Sequence, residues 1–140
     1  MIHVLNNIKE FFENCPGEII IYGCGHYGFV IGDFLEKCHI NFSMFIDEKW
    51  GGNGIKRGHA DIYEFRKLQE YKGQKIRIIL ASIKFGEMLY NLHILDDNNE
   101  YDFEVLTPVM LKCTPCQGHL VFDFPFFGQR VFFWLLDSVH

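Results

Sequence analysis

No apolar run in this 140-residue chain approaches the roughly 18 to 20 residues that a membrane-spanning helix needs. Cations are also few. Thirteen Lys and Arg stand against eighteen Asp and Glu, and a net charge of −5 argues against a partner read through a nucleic-acid backbone. The first residues, MIHVLNNIKEFFENCPGE, place Asn, Lys and Glu every few positions, so no secretory leader is expected there. Cysteines come in an odd number (Cys15, Cys24, Cys38, Cys113 and Cys116), which is a poor disulfide framework and points to a reducing cytoplasm. There is no Walker loop, HExxH pair or nucleophile elbow.

What is present is an apolar, aromatic-rich chain: 49% of residues are hydrophobic and fifteen are Phe, enough for one domain with a real core and too apolar for a disordered segment. Val4, Leu5, Ile8, Phe11 and Phe12 fall at steps of three and four, which predicts a short helix within residues 3–14. Ile19-Ile20-Ile21-Tyr22 reads as a buried parallel strand, and a helix is expected to follow from about Tyr27. Residues 41–47 read as a second strand, residues 50–58 as a Gly-rich loop, and residues 61–71 as a second helix with Ile62, Phe65 and Leu68 at three-residue steps. Residues 76–81 form a third strand, Ser82 an N-cap before the helix KFGEMLYNLHIL, and residues 103–106 a last strand. The alternation predicts an α/β domain over residues 1–108, a Rossmann-like open parallel sheet of four or five strands between two helical layers.

Residues 109–140 break that rhythm. They are read as an aromatic-rich extension, with a helix over residues 129–139 apolar nearly all round. Large apolar surfaces mark association sites, so residues 118–140 are expected to form a homo-oligomer or partner interface.

The chemistry concentrates in one turn. Gly23, Gly25 and Gly28 follow the first strand directly and open a helix, and Asp47 ends the next strand, 19 residues beyond Gly28. That is the context of the dinucleotide fingerprint. Gly23 allows the tight turn, Gly25 the approach of backbone to phosphate, and Gly28 the packing of helix on strand. The helix N-terminus presents free N–H groups to a pyrophosphate. Asp47 accepts from a ribose 2′-hydroxyl and repels a 2′-phosphate, which favours NAD over NADP. Cys24, His26 and Tyr27 lie within the turn, with His26 placed to donate to a phosphate. Glu48 follows Asp47, and Ala81 and Ser82 lie where the third strand meets the same crevice. The plain alternative is a phosphate-free Gly turn whose acidic residue caps a loop.

The stretch from Ile19 through Gly52, with IYEFRKL and IILAS after it, resembles the small Rossmann domains of bacterial surface-polysaccharide enzymes. These stand at the N-terminus of PglD-type sugar O-acyltransferases and among nucleotide-sugar dehydratase and FkbM-type methyltransferase relatives. The resemblance covers residues 18–108. It implies a nucleotide-sugar or NAD site in which Gly23, Gly25, Gly28, Asp47 and Ser82 carry ligand contacts. Two departures stand out: Tyr27 occupies the place where the acyltransferase turn commonly has His, and no hexapeptide repeats follow residue 108. The expectation is therefore a nucleotide-binding module of surface-glycan synthesis. An NAD-dependent sugar-nucleotide oxidoreductase or dehydratase fragment is the alternative, and an oligomerisation domain with a vestigial turn the second.

Other patterns are weaker. Tyr63 with Lys67 and Tyr71 with Lys75 match a Tyr/Lys dehydrogenase pair but lie too early in the chain, and read as surface residues. Cys113 and Cys116 form a CxxC past the last strand, with only His119 near, and no metal site is expected. The run Lys56-Arg57-Gly58-His59 reads as a solvated loop rather than a phosphate spot.

Overall fold

The computed structural model describes residues 1–5, 7–52 and 54–107, and beyond them the backbone of residues 110–116, 119–124 and 129–133. Its centre is β2 (Glu18–Tyr22), whose β-branched run is flanked on both sides by parallel partners. On one side lie β3 (Met44–Ile46), β5 (Ala60–Tyr63) and the two-residue β4 (Lys56–Arg57). On the other lie β6 (Lys75–Leu80), β7 (Asp102–Leu106) and β1 (Ile2–Leu5). The order is β1-β7-β6-β2-β3-β5-β4, and only the β4–β5 pair is antiparallel.

Period-two alternation sends side chains to two faces. Ile19, Ile21, Phe45, Ile79 and Leu106 pack under α1 (His26–Lys37), against Ile31, Phe34 and Leu35, and under Phe11 of a π-helical turn (Glu10–Asn14). Ile20, Ile46, Ile76, Ile78, Leu80, Phe103 and Val105 face Leu92 of α2 (Phe85–Leu95) and Leu68 of a 3-10 helix (Phe65–Tyr71). Each such side chain contributes about 1.5–3 kcal/mol when buried. Cys24 and Cys38 are buried among them as small apolar groups.

The α/β class stands, with corrections to its parts. The sheet has seven strands rather than four or five. One addition is β1, which falls in the segment expected to be helical: Ile2 to Leu5 pair in register with Phe103 to Leu106, leaving Val4 49% exposed. Hydrogen bonds offered by the β7 edge outweigh a local period that only Ile8 and Phe11 keep. Residues 61–71 are likewise not one helix. Asp61, Ile62 and Tyr63 belong to β5, and the three-residue step from Phe65 to Leu68 is the period of a 3-10 helix. Ser82 is not the cap of α2, which starts at Phe85 after Lys84 without a side-chain cap.

Past β7, β8 (Met110–Cys116), β9 (His119–Phe124) and β10 (Gln129–Phe133) form a separate antiparallel sheet in the order β10-β9-β8. Residues 129–133 are thus a strand, not the start of a helix, because they pair with residues 120–124. Cys113 and Cys116 lie on β8. The expected interface side chains of residues 118–140 fall outside the residues described with side chains. No helix among the described residues is long and apolar enough to cross a membrane.

Candidate functional site

Chain order diverges from β2: the connection through α1 leads to β3 on one side, and the later connection leads to β6 on the other. Ligands of open α/β sheets bind at the carboxyl ends of the strands at such a switch point. Here those ends are Tyr22 and Leu80, which are direct neighbours, and the Gly turn rises from the first of them.

Two of its glycines are demanded by the protein itself. Gly23 has φ +114°, and a Cβ there would come within 2.8 Å of the Ala81 carbonyl oxygen. Its N–H donates to the Ile46 carbonyl at 2.8 Å, tying the turn to β3. At Gly28 a Cβ would lie 2.0 Å from the Gly23 carbonyl oxygen, so α1 rests directly on the turn. Gly25 differs. It has φ −78°, which any residue adopts, and a Cβ on it would meet no atom of the described residues within 4 Å. Gly25 is the N-cap of α1, no side chain caps that helix, and its first turn carries no acidic residue.

Asp47 is the second fixed point. Its Oδ2 accepts from the Cys24 N–H at 2.8 Å, and its Oδ1 accepts from the N–H groups of Lys49 at 2.9 Å and Trp50 at 3.3 Å. The carboxylate therefore stitches the Gly turn to the loop after β3, with most of its lone pairs committed. Glu48 Oε1 accepts from the Phe65 N–H at 2.6 Å, capping the 3-10 helix. Ala81 is buried and its N–H donates to the Tyr22 carbonyl at 2.8 Å. Ser82 is half-buried, and its Oγ accepts from the Lys84 N–H at 3.0 Å in a local turn. His26 is exposed, 5.8 Å centroid to centroid from the half-buried Tyr27 ring.

The structure joins Gly23, Cys24, Asp47 and Ala81 by contacts around the carboxyl end of β2, with Gly25, His26, Tyr27 and Gly28 opening α1 from the same turn, Ser82 directly after Ala81, and Glu48 bonded to the 3-10 helix. It also adds a residue that the sequence places in a loop. Arg57, on β4, lays its guanidinium 5.0 Å from the Phe29 ring centroid, and its charge acts on the Cys24 thiol. Burial pushes that thiol up, and the Arg57 charge offsets part of the shift. The signal was the basic run 56–59, but nothing in it says that a hairpin folds back over α1.

No family model, curated protein or solved structure matches the chain. Function therefore has to be read from the geometry of the site.

The Tyr/Lys pairs are surface features. Lys67 lies over the Tyr63 ring at 4.6 Å and bridges to Glu70 at 2.9 Å, whereas Lys75 reaches Asp102 at 3.7 Å. On β1 and β7, His3, Asp102 and Glu104 each bring a ligand atom within 4.8 Å of the others. They stand at a solvent-facing sheet edge, Asp102 is shared with Lys75, and nothing else there points to an ion.

Proposed function

We propose that the chain is a Rossmann-like nucleotide-binding module that takes NAD or a nucleotide sugar at the Gly23–Gly28 turn. The order β5-β3-β2-β6-β7 supports this, since it runs third, second, first, fourth and fifth, as in mononucleotide-binding halves of that fold. The observation that carries the reading is Gly25. The fold requires Gly23 and Gly28, but leaves open space at Gly25 beside an uncapped helix N-terminus. A pyrophosphate fits that place, accepting from the free N–H groups.

Ribose recognition by Asp47 then uses the carboxylate lone pair left after three backbone donors. Service in bacterial surface-glycan synthesis completes the reading on the strength of the sequence resemblance, with a cytoplasmic location drawn from cysteine usage and an oligomer held through residues 118–140 from their apolar composition. The same three hydrogen bonds favour a second reading, a structural domain whose turn is vestigial, because Asp47 has a structural role without any ligand.

A thermal-shift panel of NAD, NADH, NADP, UDP-sugars, GDP-sugars and CoA tests the proposal, since a ligand of the folded state raises the midpoint by mass action. A shift with one nucleotide class, lost in Gly25→Val, supports the module. A flat panel moves the weight to the structural domain. An unchanged oligomeric mass after deletion of residues 120–140 would remove the proposed interface.

A further inference from the structure

The β4–β5 hairpin carries one guanidinium beside the first turns of α1 and, among the described residues, gives it no ion pair to a carboxylate. Among the described residues, Lys37, Lys56, Arg66, Lys67, Lys72 and Lys75 all have acidic partners within 4 Å. Arg57, like Lys49, Arg77 and Lys84, forms no such pair among those residues; its guanidinium lies by the Phe29 ring and its charge acts on the Cys24 thiol. Asp47 accepts from the same Cys24 through its backbone N–H, with two further backbone donors on its other oxygen. The half-buried cation thus sits near a helix start that carries no acidic residue in its first turn.

We infer that Arg57 is the phosphate-recognising side chain of this site and sets its preference among phosphorylated ligands. The inference rests on the nucleotide reading and deepens it. A guanidinium pairs with phosphate through two parallel N–H···O bonds, and the Phe29 face keeps its plane in one orientation before the ligand arrives. The phosphate belongs either to a diphosphate over Gly25 or to a phosphorylated ribose beside Cys24. In the second case the preference for NAD over NADP expected from Asp47 is reversed, because the Arg57 charge attracts a 2′-phosphate against the repulsion of that acid.

The experiment is calorimetric titration of the full chain, as wild type, Arg57→Gln and Arg57→Lys, with adenosine, ADP, NAD, NADP, UDP and inorganic pyrophosphate. Thermal midpoints without ligand establish that the variants fold. Arg57→Gln is expected to lose about tenfold or more for the probes bearing the recognised phosphate and nothing for adenosine, with Arg57→Lys in between. The salt dependence of binding should flatten in Arg57→Gln, a change that a purely structural role would not produce. Loss confined to NADP assigns the ribose phosphate. Loss shared by ADP, UDP and pyrophosphate assigns the diphosphate. Equal affinities for wild type and Arg57→Gln overturn the inference and leave the nucleotide site standing. Pyrophosphate binding through Arg57 without nucleotide binding overturns the nucleotide reading alone, and no binding of any probe overturns both.

Discussion

The Cys24 N–H donates to Asp47 Oδ2 at 2.8 Å, so the residue between the first two glycines of the turn is held by the acid that ends β3. With the Lys49 and Trp50 N–H groups on Oδ1, one carboxylate organises two loops at the mouth of the crevice.

Asp47→Ala strips the acceptor from three backbone donors. It should lower stability by about 2–3 kcal/mol, since charge-assisted bonds are the stronger ones and a donor left unpaired adds its own cost. Urea denaturation followed by circular dichroism measures this. A midpoint equal to wild type would show that the three bonds do nothing for the fold.

The glycines should separate cleanly. Gly28→Ala drives a Cβ to 2.0 Å from the Gly23 carbonyl and is expected to cost about 3 kcal/mol or more, or to abolish soluble expression. Gly25→Ala meets no atom within 4 Å and should change stability by less than about 1 kcal/mol, the difference between Gly and Ala at a helix N-cap. Paired thermal melts compare them, and a Gly25→Ala variant as damaged as Gly28→Ala would contradict the geometry.

Arg77 holds the π-helical turn to the sheet. Its Nε donates to the Gly17 carbonyl at 2.7 Å, and one terminal nitrogen reaches the carbonyls of Phe11 at 3.1 Å and Phe12 at 3.3 Å. Arg77→Met keeps the aliphatic stem but removes those three hydrogen bonds, for an expected loss of about 3 kcal/mol. Hydrogen exchange should show the cost as faster opening of residues 8–14, and unaltered protection there would refute the tether.

Alkaline pH should expose two phenols. Burial, with Glu18 beside it, pushes Tyr71 up to about 12, and burial raises Tyr22 as well. Unfolded phenols ionise near 10. The folded state therefore keeps protons that the unfolded state has lost. Their stabilisation is full below about pH 10 and falls as pH rises toward 12. Tyr71→Phe should lose less stability than wild type between pH 9 and 11.5. Identical urea midpoint shifts for the two proteins would rule out a Tyr71 contribution.

Much of the sheet was legible because its strands are written in β-branched runs. Ile19 to Ile21 and Ile76 to Ile79 bury both faces, which needs no knowledge of neighbours. The Gly turn was legible for a related reason: two of its three glycines answer to backbone contacts within one strand–turn–helix unit. Asp47 was found by its position at a strand end, but its three hydrogen-bond partners were not. The roles of Glu48 and Arg57 were not legible, since a cap on the 3-10 helix and a guanidinium beside the Phe29 ring are set by elements that meet only after folding, whereas Ser82 closes a turn only two residues long.

By itself the sequence determined the two-faced parallel core and the glycine turn, because burial period and backbone sterics act over a few residues. Tertiary structure decided the rest. β1 became a strand because β7 offered an open edge, Asp47 became a brace because the Cys24 N–H came within reach, and Arg57 joined the turn because a two-residue hairpin reversed the chain beside α1. Hydrogen bonds and charges of that kind depend on which distant groups arrive at about 3 Å, and no local pattern specifies that arrival.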